Sequence, residues 1–236
     1  MKRRQLLAVT GTVAVAGCLA DSSTDTDEPD DGNESPSDEQ PPEVDTTVTD
    51  ATLETRELDG DRTETAVTGL VENTSDARLG LVSVAGKFYD ADGQLLSSSP
   101  WDVRDLEPGQ VWEPWIPYMG EGDVDHAELV VTDATAHSRT IAPNGMVLES
   151  HDMQIPTDDL AMPRVLGTVS NQSESDVGIL QARLKTIADN GNLLETGIAS
   201  IQNFGAGESW DFDQQIHFKN PDWKERIGGY QIVLTA

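Results

Sequence analysis

The chain has 236 residues, 43 of them acidic and 15 basic, giving a net charge of −28 with histidine neutral, and it has a single cysteine. So large an acidic excess counts against nucleic acid as a partner, because phosphate binding needs clustered Lys and Arg. One cysteine allows no internal disulfide, so the folded part has to stand on packing and hydrogen bonds alone.

In chain order, a basic start (Met1-Lys2-Arg3-Arg4) leads into a short apolar run, Leu6 to Gly17, that closes on Val15-Ala16-Gly17-Cys18. A basic end, a brief apolar stretch and small residues before a cut site predict a secretory signal over residues 1–17. The run is too short to cross a bilayer, which takes roughly 20 apolar residues. The Arg3, Arg4 pair predicts the twin-arginine route, which exports folded proteins. Cys18, after three small residues, is the expected lipidation site and new N-terminus. Each buried methylene adds about 0.8 kcal/mol, so two acyl chains would anchor stably. An uncleaved N-terminal anchor and an exported chain with a free thiol are the alternatives. The expected location is outside the cytoplasm, on the outer face of the cell membrane. Removing residues 1–17 takes away three positive charges and leaves −31.

Residues 18–47 are expected to be a lipidated end and a disordered tether. From 19 to 47 there are eleven acids, no bases and almost no large apolar side chain. Such a segment cannot bury enough surface to order itself, and its charges extend it. The acidic composition, with only five lysines in the chain, and the export signal resemble secreted lipoproteins of salt-loving archaea.

From residue 48 the chain repeats itself. A shift of 98 residues lays Val67–Ser75 on Val165–Ser173, Gly93-Gln94-Leu95-Leu96 on Gly191-Asn192-Leu193-Leu194, and Trp112 on Trp210. About five extra residues enter the second copy before Gln231–Thr235, which answers Glu128–Thr132. The expected units are 48–135 and 146–236, joined by a short linker at 136–145 that leaves them limited relative motion.

Each copy alternates apolar and polar residues and breaks at Gly, Asn, Asp and Pro, which predicts strands. In the first copy these fall near 48–57, 64–73, 79–90, 94–98, 101–106, 110–117 and 127–133. Val82, Val84 and Phe88 share one face while Ser83 and Lys87 take the other. The second copy repeats the phase, with Leu180, Ala182 and Leu184 opposite Gln181, Arg183 and Lys185. Period two with one wet face predicts antiparallel sheets. Asp92-Gly93 and Asn190-Gly191 predict tight hairpin turns. The expected fold class is all-β: two tandem immunoglobulin-like antiparallel β-sandwiches after a signal peptide and a disordered acidic tether. No helix is expected in either copy.

Gly69-x-Val71-x-Asn73-x-Ser75, then Phe88-Tyr89-Asp90-Ala91-Asp92-Gly93, then Leu106-Glu107-Pro108-Gly109, resemble the FxLYD domain. That family consists of small immunoglobulin-like β-sandwiches common in secreted and lipid-anchored microbial proteins. The resemblance covers about residues 64–133 and 163–236; in the second copy Thr186–Gly191 lacks the aromatic pair. It implies a fold and a location and no catalysed reaction.

Candidate sites are few. Asn33, Asn73 and Asn171 each begin an Asn-x-Ser/Thr pattern and are candidate glycan acceptors, although Asn73 and Asn171 also suit strand-end turns. Asp90-Ala91-Asp92-Gly93 spaces carboxylates as calcium loops do, but the distal Glu is missing, so a hairpin turn is expected and no metal. His126, His137, His151 and His217 have no ligand spacing and read as solvated loop or strand residues. No nucleophile elbow, phosphate loop or zinc-peptidase helix occurs, so no enzyme and no cofactor is expected. Trp112 and Trp210 read as core indoles. Trp101, Trp115 and Tyr118 occur only in the first copy, where they form a candidate exposed binding surface.

The composition and pattern lead to one expectation: a non-catalytic, lipid-anchored cell-surface protein acting as an interaction or structural module. It would hold the membrane through Cys18 and engage an envelope protein. The alternative is an accessory ligand- or ion-binding subunit of a transporter or receptor, which an apolar, closed cleft between the copies would favour.

Overall fold

The computed structural model describes residues 44–58, 62–141, 143–157, 161–220 and 222–236. The signal segment, Arg3, Arg4, Cys18, Asn33 and nearly all of the acidic tether lie outside the described residues. The fold is all-β, and its strands pair antiparallel except where β5 meets β11.

The first copy comprises β1 (Thr46–Leu58), β2 (Arg62–Asn73), β3 (Leu79–Tyr89), β4 (Leu95–Leu106), β5 (Val111–Trp112), β6 (Trp115–Pro117) and β7 (His126–Ala136). Strands β1, β2, β5 and β6 make one sheet, and β4-β3-β7 make the sheet facing it. Between them lie Val67, Val71, Val82, Val84, Phe88, Trp112 and Ile116, all buried. The sheets approach closely at Gly86, where a Cβ would stand 2.7 Å from a methyl of Val67.

The second copy comprises β8 (Met146–Gln154), β9 (Arg164–Asn171), β10 (Val177–Ala188), β11 (Leu193–Phe204), β12 (Ser209–Gln215), α1 (Trp223–Arg226) and β13 (Ile227–Thr235). Sheet β12-β9-β8 faces sheet β11-β10-β13 across Val165, Val169, Leu180, Leu184, Phe204 and Phe212. Strand β9 shows the driving pattern: Val165, Gly167, Val169 and Asn171 are buried and the residues between them are not.

The repeat is followed strand by strand. Adding 98 to the bounds of β4 gives those of β11, and β5 to β6 falls within β12. Backbone exceptions repeat as well: Gly93 and Gly191, Gly109 and Gly207, and Asp105 and Asn203 all have positive φ. Asp90 Oδ1 accepts from the backbone N–H of Asp92 (3.0 Å) and of Gln94 (2.8 Å), which makes Asp90–Gly93 a side-chain-braced turn.

Four expectations change. The strands expected at 94–98 and 101–106 are one, because Pro100 lies in β4 at the edge of its sheet, where a missing N–H costs no ladder bond. The strand expected at 110–117 is cut in two at Glu113-Pro114, where proline ends pairing. Asp211-Phe212 stands at that place in the second copy, and β12 runs through. The segment of the second copy into which the extra residues enter forms the one-turn helix α1, where no helix was expected.

The fourth change concerns the wet face of β10. Arg183 is 7% exposed and Lys185 0%. They lie opposite the core residues, as the period requires, but the first sandwich covers that face. The two sandwiches share a continuous sheet, β1-β2-β5-β11-β10-β13, in which Leu193 pairs with Trp112 in parallel register. Thr140 in the linker exchanges two backbone hydrogen bonds with Ala236, each 3.0 Å. The copies are joined along a sheet.

Candidate functional site: the join between the sandwiches

The join starts from an apolar contact. Leu193, at the foot of β11, is fully buried and belongs to the core of the first sandwich, where Ile187 packs against it. Its carbonyl accepts from the backbone N–H of Glu113 at 2.9 Å, adding a main-chain bond beside the side-chain contact.

Around that contact several polar groups meet across the join. The Glu113 carboxylate accepts from Asn190 Nδ2 (2.9 Å), from Asn192 Nδ2 (2.6 Å) and from the Arg226 guanidinium. Burial alone would raise its pKa; those amides and the Arg226 charge instead hold it below the usual carboxylate range. Arg226 is supplied by α1, so the helix absent from the first copy exists at the join. Asp222, just before it, meets Arg56 of β1 at 3.1 Å.

A second cluster sits where β10 crosses the end of β4. Lys185 Nζ donates to Glu107 Oε1 (3.0 Å) and Gln110 Oε1 (3.1 Å) and lies 3.8 Å from Asp105. Asp105, 1% exposed, also takes a bond from Arg78 at 3.0 Å and faces His137 at 3.6 Å. Burial pulls the Lys185 ammonium below its ordinary value against the upward pull of Asp105 and Glu107. Desolvation offsets much of the attraction in a buried pair of this kind, so the cluster is a weak source of net stability. His137 is buried here, contrary to the expectation of a solvated side chain; burial lowers its pKa despite Asp105. Of the others, His126 stacks on Tyr89, His151 bonds to the Tyr230 hydroxyl, and His217 is exposed.

The aromatics unique to the first copy are explained by this arrangement. Trp115 is 8% exposed, buried like the repeated Trp112 (0%), and Tyr118 packs on Phe88 with ring centres 5.2 Å apart. The Trp101 indole donates to Glu195 of β11 (3.3 Å) and carries Lys219 over its ring at 4.9 Å. They do not form an exposed binding surface: Trp115 is buried, and Trp101 meets the second sandwich through Glu195 and Lys219. Trp210 is half-buried against Phe212.

Little empty space remains at the join. A cavity of about 20 Å³ lies among Trp115, Glu195, Phe218 and Trp223, room for about one water. An open groove of about 370 Å³ runs outside it, lined by Asp50, Glu54, Glu113, Trp115, Asp222 and Arg226. Its charged walls and open mouth differ from the enclosed apolar pockets that hold small molecules.

The two asparagines considered as glycan acceptors are buried, Asn73 at 0% and Asn171 at 1% exposed. Asn73 Nδ2 donates to the carbonyls of Ala77 and Leu106, and Asn171 Nδ2 donates to those of Ser175, Phe204 and Gly205. Each Oδ1 accepts from the serine two residues on, Ser75 or Ser173. A sugar on either nitrogen would remove a donor from these bonds and would need space the site does not have. The turn chemistry is what the fold uses.

Among the described residues, no helix is long and apolar enough to cross a membrane. No family model, no curated protein and no solved structure matches the chain.

Proposed function

We propose that the chain is a non-catalytic protein of the cell surface, held to the membrane by lipid on Cys18, exported through the Arg3-Arg4 signal and acting as an interaction or structural module of the envelope. The FxLYD-like residues of the first copy fit this reading, and so does the acidic tether between anchor and sandwich. The observation that carries it is the join. The space where a two-domain binding protein would close on a solute is filled by the chain's own Leu193, Lys185, Glu107, Glu113 and Arg226 contacts. What such a body offers to others is its outer surface.

The test is a comparison of Cys18→Ala with the unaltered chain in cells that make it, by fractionation and by cross-linking at native salt with mass spectrometry. The anchored protein should partition with membranes and carry a reproducible membrane-protein neighbour, and the variant should be released and lose that neighbour. Equal membrane retention of the variant would sink the lipid anchor. Absence of any specific neighbour of the anchored form would sink the module.

A further inference from the structure

The repeat gives the first sandwich the same docking end that the second uses, and among the described residues nothing covers it. In the second copy, the β10–β11 turn and the loop before β13 seat on the first sandwich through Leu193, Asn190, Asn192 and Arg226. The corresponding turn of the first copy places Leu95 at the position of Leu193, with Asp92 and Gln94 at those of Asn190 and Asn192. Leu193 is 0% exposed and Leu95 49%. Beside it, the loop before β7 carries Met119, 80% exposed. Turn and loop form one surface: Asp125 N donates to Tyr89 O at 2.8 Å, and Gly122 lies against the methyls of Leu96, at 3.7 Å from where its Cβ would stand. The loop is braced by the Tyr118 hydroxyl, which donates to Glu121 O at 2.5 Å.

The charge around the two apolar protrusions identifies the occupant. Asp92, Glu121, Asp123 and Asp125 are all exposed there, and Asp123 stands where the extra-residue alignment puts Arg226 in the second copy. A second copy of this chain does not fit. The edge of the second sandwich that corresponds to the accepting edge of the first carries Asp176, Glu208 and Asp211 in place of Arg78, Gln110 and Glu113, all exposed. Asp92 and Asp123 would there face Asp211, in place of the Asn190 and Arg226 that meet Glu113 at the join, and this disfavours self-association. We infer that the free end of the first sandwich, Leu95 and Met119 within their acidic rim, docks a different protein that presents an apolar notch edged by Arg or Lys. This rests on the interaction-module reading and gives it a face and a partner chemistry.

The experiment places a benzophenone photo-cross-linking residue at Leu95, at Met119, and at Ile155 and Ile179, which are exposed apolar positions of the second copy (46% and 41%). The full chain is irradiated in the cells that make it, and adducts are mapped to peptides. Positions 95 and 119 should converge on one protein, at a peptide containing Arg or Lys. Asp92→Lys with Asp123→Lys should lower that yield about tenfold at an unchanged melting temperature. Adducts only with another copy of this chain, equal adducts at all four positions, or a partner peptide without basic residues would overturn the inference. Adducts at 155 or 179 and none at 95 or 119 would overturn this face and leave the module reading standing. Silence at all four would overturn both.

Discussion

Glu195 is buried at the join, 7% exposed, with Thr196 N donating to one carboxylate oxygen at 2.9 Å and the Trp101 indole to the other. Burial pushes its pKa from 4.5 to about 7, the two donors and the Lys219 charge offsetting only part of that. The sign follows from proton binding. Between pH 4.5 and 7 the unfolded chain has released this proton and the folded one keeps it, so stability falls as pH rises through that window. The cost, about 3 kcal/mol, is fully present above pH 7 and gone below about 4.5. Glu195→Gln removes the ionisation and sacrifices only the longer bond to Trp101. Its melting temperature should exceed that of the unaltered chain by about 5 °C at pH 8 and match it near pH 4.5. A gain that is the same at both pH values would show that ionisation is not its cause.

At the scale of elements, Leu95 and Leu193 head equivalent strands, and only Leu193 is covered. Leu193→Ala should lower stability by about 2–5 kcal/mol, because it opens a void in the first sandwich's core from a residue of the second. Leu95→Ala should stay within about 0.5 kcal/mol. Urea midpoints of the two variants measure this, and equal effects would mean the join carries no stability. Most strands were legible in the sequence, since one buried face gives period two and glycine with Asp or Asn marks the turns. Their ends were less so where proline decides: Pro114 breaks a strand between two neighbours, while Pro100 is tolerated on an edge, and sequence does not say which strand is an edge. The helix α1 escaped because four residues carry no period, and its reason for being there, Arg226 on Glu113, is a contact 113 residues away.

For the whole molecule, the sequence revealed two copies and hid how they meet. Arg183 and Lys185 sit on the polar phase of β10, and a charge facing solvent reads the same as a charge facing another sandwich's carboxylates. The available signal was the difference between copies: Trp101, Trp115, Glu195 and Arg226 have no like counterpart, and all four lie at the join. That join also sets how the chain should respond to salt. A net charge of −28 repels itself across the whole surface, and at 1 M salt the Debye length shrinks to about 3 Å, which screens that repulsion. The Lys185–Glu107 pair at the join is short, 3.0 Å, and its ammonium is 0% exposed, so salt weakens it far less. The two effects have opposite signs and unequal reach. Calorimetry from 0.1 to 2 M KCl should therefore show a melting temperature that climbs throughout, in a single transition because the shared sheet couples the sandwiches. A melting temperature that fell with salt would mean that surface ion pairs, and not self-repulsion, dominate the stability of this acidic chain.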